Sequence, residues 1–218
     1  MRVVSLGSGS SGNALLVEAG PRGRTRLLVD AGLGSRTLIA RLRSVGVHPS
    51  QLQGILVTHE HSDHVMGLPA LLKHFVFPVI ADPRTYAAIM EGMYRGTWYT
   101  DTGRAISAPL DVETEQELAA EEKVDPSMLR ELESSATIAL PVGSRYVLGD
   151  IEVTSFPISH DAVAPCGYLL QAGGCRVCVV TDSGEVTPAM LAAMQHADLL
   201  VLEANHDRQK LLRGPYPY

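Results

Sequence analysis

Seven consecutive residues, Thr58-His59-Glu60-His61-Ser62-Asp63-His64, constrain this chain more than any other part of it. They follow Gly54-Ile55-Leu56-Val57, a short apolar run of the kind that forms a buried strand, so the histidines emerge where a strand ends. On a strand-to-loop turn, residues two apart project the same way, which places His59 and His61 to grip one metal ion. Asp63 and His64, past the bend, are placed to reach a second. Imidazole and carboxylate together suit zinc, manganese or iron. A solvated polar loop has no reason to gather three of the chain's eight histidines and an aspartate directly behind a buried strand.

Further ligands have to come from other strand ends, and suitable residues stand there. His160 follows the strand Ile151–Pro157 and is expected to give a third nitrogen to the first ion. Asp182 ends the strand Arg176–Thr181. It lies too far upstream of the helix beginning at Pro188 to cap it, which leaves it free to bridge two ions. His206, after Leu202-Glu203-Ala204-Asn205, is a candidate proton donor, phosphate contact or ligand. Asp30 ends the strand Thr25–Asp30 and is expected to orient ligands from behind rather than bind metal itself. His48, His74 and His196 have no comparable setting.

The surrounding pattern alternates strands and helices. Apolar runs predict strands over 2–6, 14–18, 25–30, 54–58, 79–81, 137–140, 145–148, 151–157, 167–171, 176–181 and 198–203. Helical spacing appears over 32–45, 67–75, 84–93 and 188–196. This order predicts an α/β layered fold. The loop Gly7-Ser8-Gly9-Ser10-Ser11-Gly12-Asn13 resembles a phosphate cradle in composition, but Asn13 leads into a strand and no Lys-Ser/Thr end opens a helix, so it is no Walker loop. Residues 94–109 carry no readable pattern. From Asp111 to Glu133 the chain is strongly acidic, and an acidic helical insertion is expected at about 100–135, as a solvated element, a lid or a docking segment.

Cys175 and Cys178 share a CxxC spacing inside an apolar strand, where they point to opposite faces; with Cys166 they read as buried thiols. A net charge of −6 argues against a broad basic surface. It leaves phosphate chemistry open, because bound cations supply positive charge locally. No stretch reaches the ~20 apolar residues of a membrane span, and Met1–Leu6 does not read as a signal peptide. The expected location is cytoplasmic, with no membrane partner.

The His-x-His-x-Asp-His string, a later lone histidine and an aspartate after the next strand resemble the metallo-β-lactamase superfamily. That resemblance implies an αββα sandwich of two mixed sheets flanked by helices, spanning residues 1–218 as one domain. Ser8–Asn13, Thr58–His64, Ile158–Ala162 and Glu203–Asp207 further resemble its YycJ/WalJ branch. This implies a metal-dependent phosphodiester hydrolase, specifically a 5′-to-3′ exonuclease acting on DNA, with two divalent ions (zinc or manganese). Members of the superfamily normally add a last histidine near the C-terminus for the second ion. The chain ends at Gly214-Pro215-Tyr216-Pro217-Tyr218 without one. The expectation is a domain lacking its C-terminal part, with His206 standing in for the missing ligand or a weak, incomplete second site as the alternatives.

The implied chemistry is attack on phosphorus by a hydroxide held between the two ions. Asp63 would orient the nucleophile, His206 would protonate the leaving oxygen or steady a phosphate oxygen, and Ser10, Ser11 and Asn13 would donate hydrogen bonds to the substrate. Competing readings are a small-molecule phosphodiesterase, a lactonase or a thioesterase on the same scaffold, or a metal-binding accessory protein in signalling. Oligomeric state is left open.

Overall fold

The computed structural model describes residues 1–95, 97–99, 105–107 and 137–203. Strands β1 (Arg2–Gly7), β2 (Ala14–Ala19), β3 (Thr25–Val29), β4 (Gly54–Leu56), β5 (Val79–Ala81) and β8 (Thr137–Ala139) form one sheet in the order β1-β2-β3-β4-β5-β8. Strands β9 (Arg145–Leu148), β10 (Ile151–Pro157), β11 (Cys166–Ala172), β12 (Cys175–Val180) and β13 (Leu199–Leu202) form a second, ordered β13-β12-β11-β10-β9. Both are mixed. β1 to β3 pair antiparallel, and β3, β4, β5 and β8 pair parallel. In the second sheet only the β12–β13 pair is parallel.

Residue alternation explains the layering. In β2 and β3 the side chains of Leu15, Val17, Leu27 and Val29 meet Ile151, Val153, Tyr168 and Val179 of the second sheet. Their neighbours Leu16 and Leu28 point the other way, onto Leu38 and Leu42 of helix α1 (Ser35–Ser44) and Leu68 and Leu71 of α3 (Leu68–His74). A strand buried on both faces loses its polar alternation, which is why β2 reads as a continuous apolar run. The outer face of the second sheet packs Phe156, Leu169, Cys178 and Val180 under Met190 of α5 (Pro188–Met194). The result is the expected α/β sandwich: helices, sheet, sheet, helix.

Several local features depart from the sequence reading. The residues after His61 form a short helix, α2 (Ser62–Val65), rather than an open bend. Thr97–Tyr99 and Ala105–Ser107 pair as a hairpin, β6 and β7, following α4 (Pro83–Arg95). Its β-branched and aromatic residues suit extended backbone. β7 therefore falls inside the stretch expected to be helical from about 100. The remainder of that insertion, and residues 204–218 with His206, lie outside the described residues. Cys175 and Cys178 do face opposite sides, Cys178 within the α5 layer and Cys175 against the inter-sheet core, and all three cysteines are free. Among the described residues no helix is long and apolar enough to cross a membrane.

Candidate metal centre

The C-terminal ends of β3, β4 and β12 and the loop after β10 all open at one edge of the sandwich, and each delivers a candidate residue there. The backbone is built to bring them close. A Cβ on Gly32 would overlap the Asp63 carbonyl oxygen. Asn13 donates its backbone N–H to that same carbonyl at 2.7 Å, and Ala31 donates to the carbonyl of His64 at 2.7 Å. Backbone from two loops is thus packed directly behind α2, and the absence of a side chain at Gly32 permits it.

The imidazoles converge. His160 Nε2 lies 3.2 Å from His59 Nε2 and 3.1 Å from His61 Nδ1. His59, His61 and His160 offer one donor group, and His59, His64 and Asp182 a second, with His59 common to both. Asp182 Oδ2 sits 2.6 Å from His64 Nε2 and 3.9 Å from His59 Nε2. Asp63 is placed at the edge of the second group, its Oδ2 3.5 Å from His64 Nε2.

These contacts fit a cation better than they fit each other. Two nitrogens held about 2.0–2.1 Å from a tetrahedral zinc stand about 3.3–3.4 Å apart, close to the separations around His160 Nε2. Neutral imidazoles carry one N–H each, so three ring nitrogens meeting at a point cannot all be satisfied by mutual hydrogen bonds. Among the described residues Asp182 Oδ2 is buried without a hydrogen bond of good geometry, although His64 Nε2 is close. An orphaned carboxylate oxygen facing a ring nitrogen is the donor arrangement that a divalent ion completes.

Electrostatics divides the cluster into two kinds of histidine. Burial, reinforced by the neighbouring His64, His160 and His61, pushes His59 well below its ordinary range, leaving it neutral with a lone pair to give. Burial and His61 also lower His160, against the pull of Asp161 and Asp182. Burial acts downward on His64 too, but the charge of Asp30 and hydrogen bonds to Asp182, Asp30 and Asp63 overcome it and raise the group well above its ordinary range. In Asp182 burial opposes ionisation, yet His64 and the Glu203 interaction hold the carboxyl down at about 2.

Tautomers are set from behind. His64 Nδ1 lies 2.8 Å from Asp30 Oδ2, so its Nε2 faces Asp182 and Asp63. Asp30 also accepts the Thr58 backbone N–H at 2.8 Å and the Thr58 hydroxyl at 2.9 Å. Asp30 thus lies behind both Thr58 and His64 at the end of β3. His160 Nδ1 lies 3.0 Å from Asp161, leaving Nε2 for the cluster. Asn13 directs its Nδ2 at Asp63 Oδ2 (3.3 Å) and His64 Nε2 (3.0 Å), while its Oδ1 accepts from Gly9 N–H. Ser10 and Ser11 are exposed on that same loop. Helix α5 is capped by Thr187, not Asp182, and His48 caps the turn Pro49–Gln51.

Sequence reasoning passed over three contributors. Thr58 bridges Asp30 to the histidines, its hydroxyl 3.0 Å from His59 Nδ1. Glu203 accepts the Asp182 backbone N–H at 2.7 Å, steadying a residue with φ of 52°. Glu60 accepts the Val163 N–H at 2.7 Å. Thr58 and Glu60 lie inside the histidine motif and Glu203 at a strand end beside Asp182, but their hydrogen-bond partners come only with the fold.

Comparison with known proteins agrees with this architecture. Residues 25–214 match the model of the beta-lactamase superfamily domain. The chain is 32% identical over 98% of its length to exodeoxyribonuclease WalJ of Streptococcus pneumoniae serotype 2 (strain D39 / NCTC 7466), covering 65% of that protein. It is likewise 32% identical over 98% of its length to exodeoxyribonuclease YycJ of Bacillus anthracis, covering 66% of it. The chain therefore spans about two thirds of the length of these relatives. Among solved structures, zinc-bound PqqB from Methylobacterium extorquens superposes with a TM-score of 0.60 at 18% identity, over 92% of this chain and 71% of that one. With its two mixed sheets, flanking helices and histidine-rich edge, the chain belongs to the metallo-β-lactamase superfamily.

Proposed function

We propose that this chain is the catalytic domain of a metal-dependent nuclease that hydrolyses phosphodiester bonds, with DNA as substrate. The observation that carries the reading is the pair of donor groups sharing His59, in a chain that aligns over 98% of its length with a named exodeoxyribonuclease. In this reading His59, His61 and His160 would hold one divalent ion, and His64 and Asp63, with Asp182 beside them, would hold a second. Three nitrogens suit zinc at the first position, and the mixed nitrogen and oxygen set of the second suits zinc or manganese. When bound, the ions supply Lewis acidity toward the phosphodiester and toward the attacking water.

The chain's own residues do the positioning. Asp63 is half-buried, lies beside His64, and is suited to orient the attacking water. Asn13 fixes that carboxylate from the opposite side. Ser10 and Ser11, exposed on the loop that Asn13 anchors, are placed to donate to a phosphate oxygen. His206 belongs to this reading as the proton donor to the leaving oxygen or as a phosphate contact. A 5′-to-3′ polarity and a cytoplasmic location complete it.

The test uses purified protein with end-labelled single- and double-stranded DNA and RNA, in manganese or zinc. Processive loss of label from DNA, abolished in a His59→Ala, His61→Ala double variant, is the expected result. Turnover of a lactone or thioester without cleavage of any nucleic acid would assign the scaffold to small-molecule hydrolysis instead. A double variant with undiminished metal content would remove the metal centre itself from the argument.

A further inference from the structure

The side chain between the two leading histidines has no part in the donor groups, yet it is buried and acidic. Glu60 is only 8% exposed. Its Oε1 accepts the Val163 N–H at 2.7 Å, and its Oε2 is buried without a hydrogen-bond partner among the described residues. Burying a carboxylate is unfavourable unless it is hydrogen-bonded or paired, and an apolar side chain would fill this position at less cost. The position of its partner gives the use. Val163 lies in the loop joining β10 to β11, three residues after His160.

That loop is fastened elsewhere mainly at its ends. Ser159 accepts the Gly184 N–H at 2.8 Å on one side, and Cys166 donates to the Thr58 carbonyl at 3.1 Å on the other. Farther in, the Ala164 carbonyl takes only a long contact of 3.4 Å from the Thr85 hydroxyl. Between His160 and Val163, the Glu60 carboxylate is the tie that joins the loop to the strand end bearing His59 and His61. His160 must bring one ring nitrogen within 3.1–3.2 Å of two others. Catalytic and metal-binding groups lose their function when misplaced by about 1 Å, so a loop with one firm internal tether among the described residues depends on it.

We infer that Glu60 is a positioning residue, whose hydrogen bond to the Val163 backbone holds the β10–β11 loop so that His160 completes the donor group of His59 and His61. The inference rests on the metal-centre reading but not on the substrate. The role is geometric: it requires an acceptor oxygen at this place, not a negative charge.

The test measures Zn²⁺ affinity of the whole chain by competition with a chromophoric chelator, with no substrate present. His160→Ala sets the scale. Glu60→Ala is expected to weaken zinc binding about ten- to hundredfold, the usual cost of losing a group that orients a ligand. Glu60→Gln keeps an acceptor in place and is expected to stay within about threefold of the parent. Val163→Pro, which removes the donor at an exposed residue, is expected to reproduce the Glu60→Ala loss in a chain whose interior is untouched. In the His160→Ala background, Glu60→Ala should add nothing. Parent-like affinity in Glu60→Ala, an equal loss in the His160→Ala background, or a Glu60→Gln variant as weak as Glu60→Ala would each overturn the inference. Unchanged affinity in His160→Ala would be a different failure, since it removes the metal centre on which the inference stands.

Discussion

Asp30 faces His64 Nδ1 at 2.8 Å with one carboxylate oxygen and accepts the Thr58 backbone N–H at 2.8 Å with the other. One side chain therefore locks the end of β3 to the end of β4 and fixes the tautomer of a metal-facing histidine. Asp30→Ala takes the acceptor from three buried donors, of which the Thr58 hydroxyl keeps its contact with His59 Nδ1; at about 1–3 kcal/mol for each of the other two, a stability loss of about 2–6 kcal/mol is expected in urea melts. Zinc binding at the His64 side should weaken about ten- to hundredfold. Asp30→Asn keeps an acceptor for Thr58 and should lose metal affinity with a smaller loss of stability. Equal affinity in parent and Asn variants would contradict the assignment of Asp30 as the support of His64.

Asp182 holds a left-handed backbone, φ 52°, and Glu203 on the parallel neighbour strand accepts its N–H at 2.7 Å. Aspartate tolerates this conformation at modest cost, and a fixed partner keeps it populated. Glu203→Ala is expected to reduce zinc affinity about tenfold by letting Asp182 move, and Glu203→Gln to restore most of it. Calorimetric metal titration of the three proteins decides the point: an alanine variant that binds as the parent does leaves Glu203 without this role.

The parts of the molecule that a sequence states in its own periodicity were legible. Strands buried on both faces appear as apolar runs, and histidines two apart at a strand end share a direction, so His59, His61, His160 and Asp182 were found and do converge. The same parity separated Cys175 from Cys178. What was not legible depends on partners distant in the chain. α2 has four residues, too few to show a helical repeat. Nothing in Glu60 or Glu203 announces that its acceptor oxygen meets a backbone N–H 103 or 21 residues away. The Gly/Ser loop around Asn13 likewise gives no sign that its amide meets Asp63 and His64, 50 and 51 residues away.

Gly32 carries the close packing behind α2, where a methyl group would overlap the Asp63 carbonyl. The obstacle is backbone, so relief requires moving α2 and with it Asp63 and His64. Gly32→Ala should cost about 3 kcal/mol or more by overpacking and strain. Gly184→Ala is the matched comparison, since its nearest atom is the Ser159 carbonyl oxygen at 3.8 Å and its φ is not left-handed. That variant should be neutral or stabilised by about 0.4–1 kcal/mol through the unfolded chain. Thermal melts giving similar shifts for the two would show that α2 does not depend on the contact.

Asp82 supplies a pH dependence that lies away from the metal-facing groups. Its oxygens accept from Arg84 Nε at 2.9 Å, from the Arg84 backbone N–H at 2.9 Å and from the Val142 N–H at 2.9 Å, joining the start of α4 to the segment after β8. The Arg84 hydrogen bond, opposed by burial and aided by these backbone donors, holds the carboxyl at about 2 against an ordinary 3.8. A carboxyl lowered in the folded state binds fewer protons there than in the unfolded chain. Its stabilisation is therefore complete above about pH 4 and is lost as pH falls from 3.8 towards 2. The full shift corresponds to about 2 kcal/mol, and because the Arg84 side chain is 63% exposed, solvent screening leaves about 1 kcal/mol. Asp82→Asn should accordingly be about 1 kcal/mol less stable than the parent at pH 7, with the gap closing between pH 4 and pH 2. Chemical denaturation across that range measures the difference directly. A gap that stays constant down to pH 2 would mean that packing, not the ionised carboxylate, joins α4 to β8.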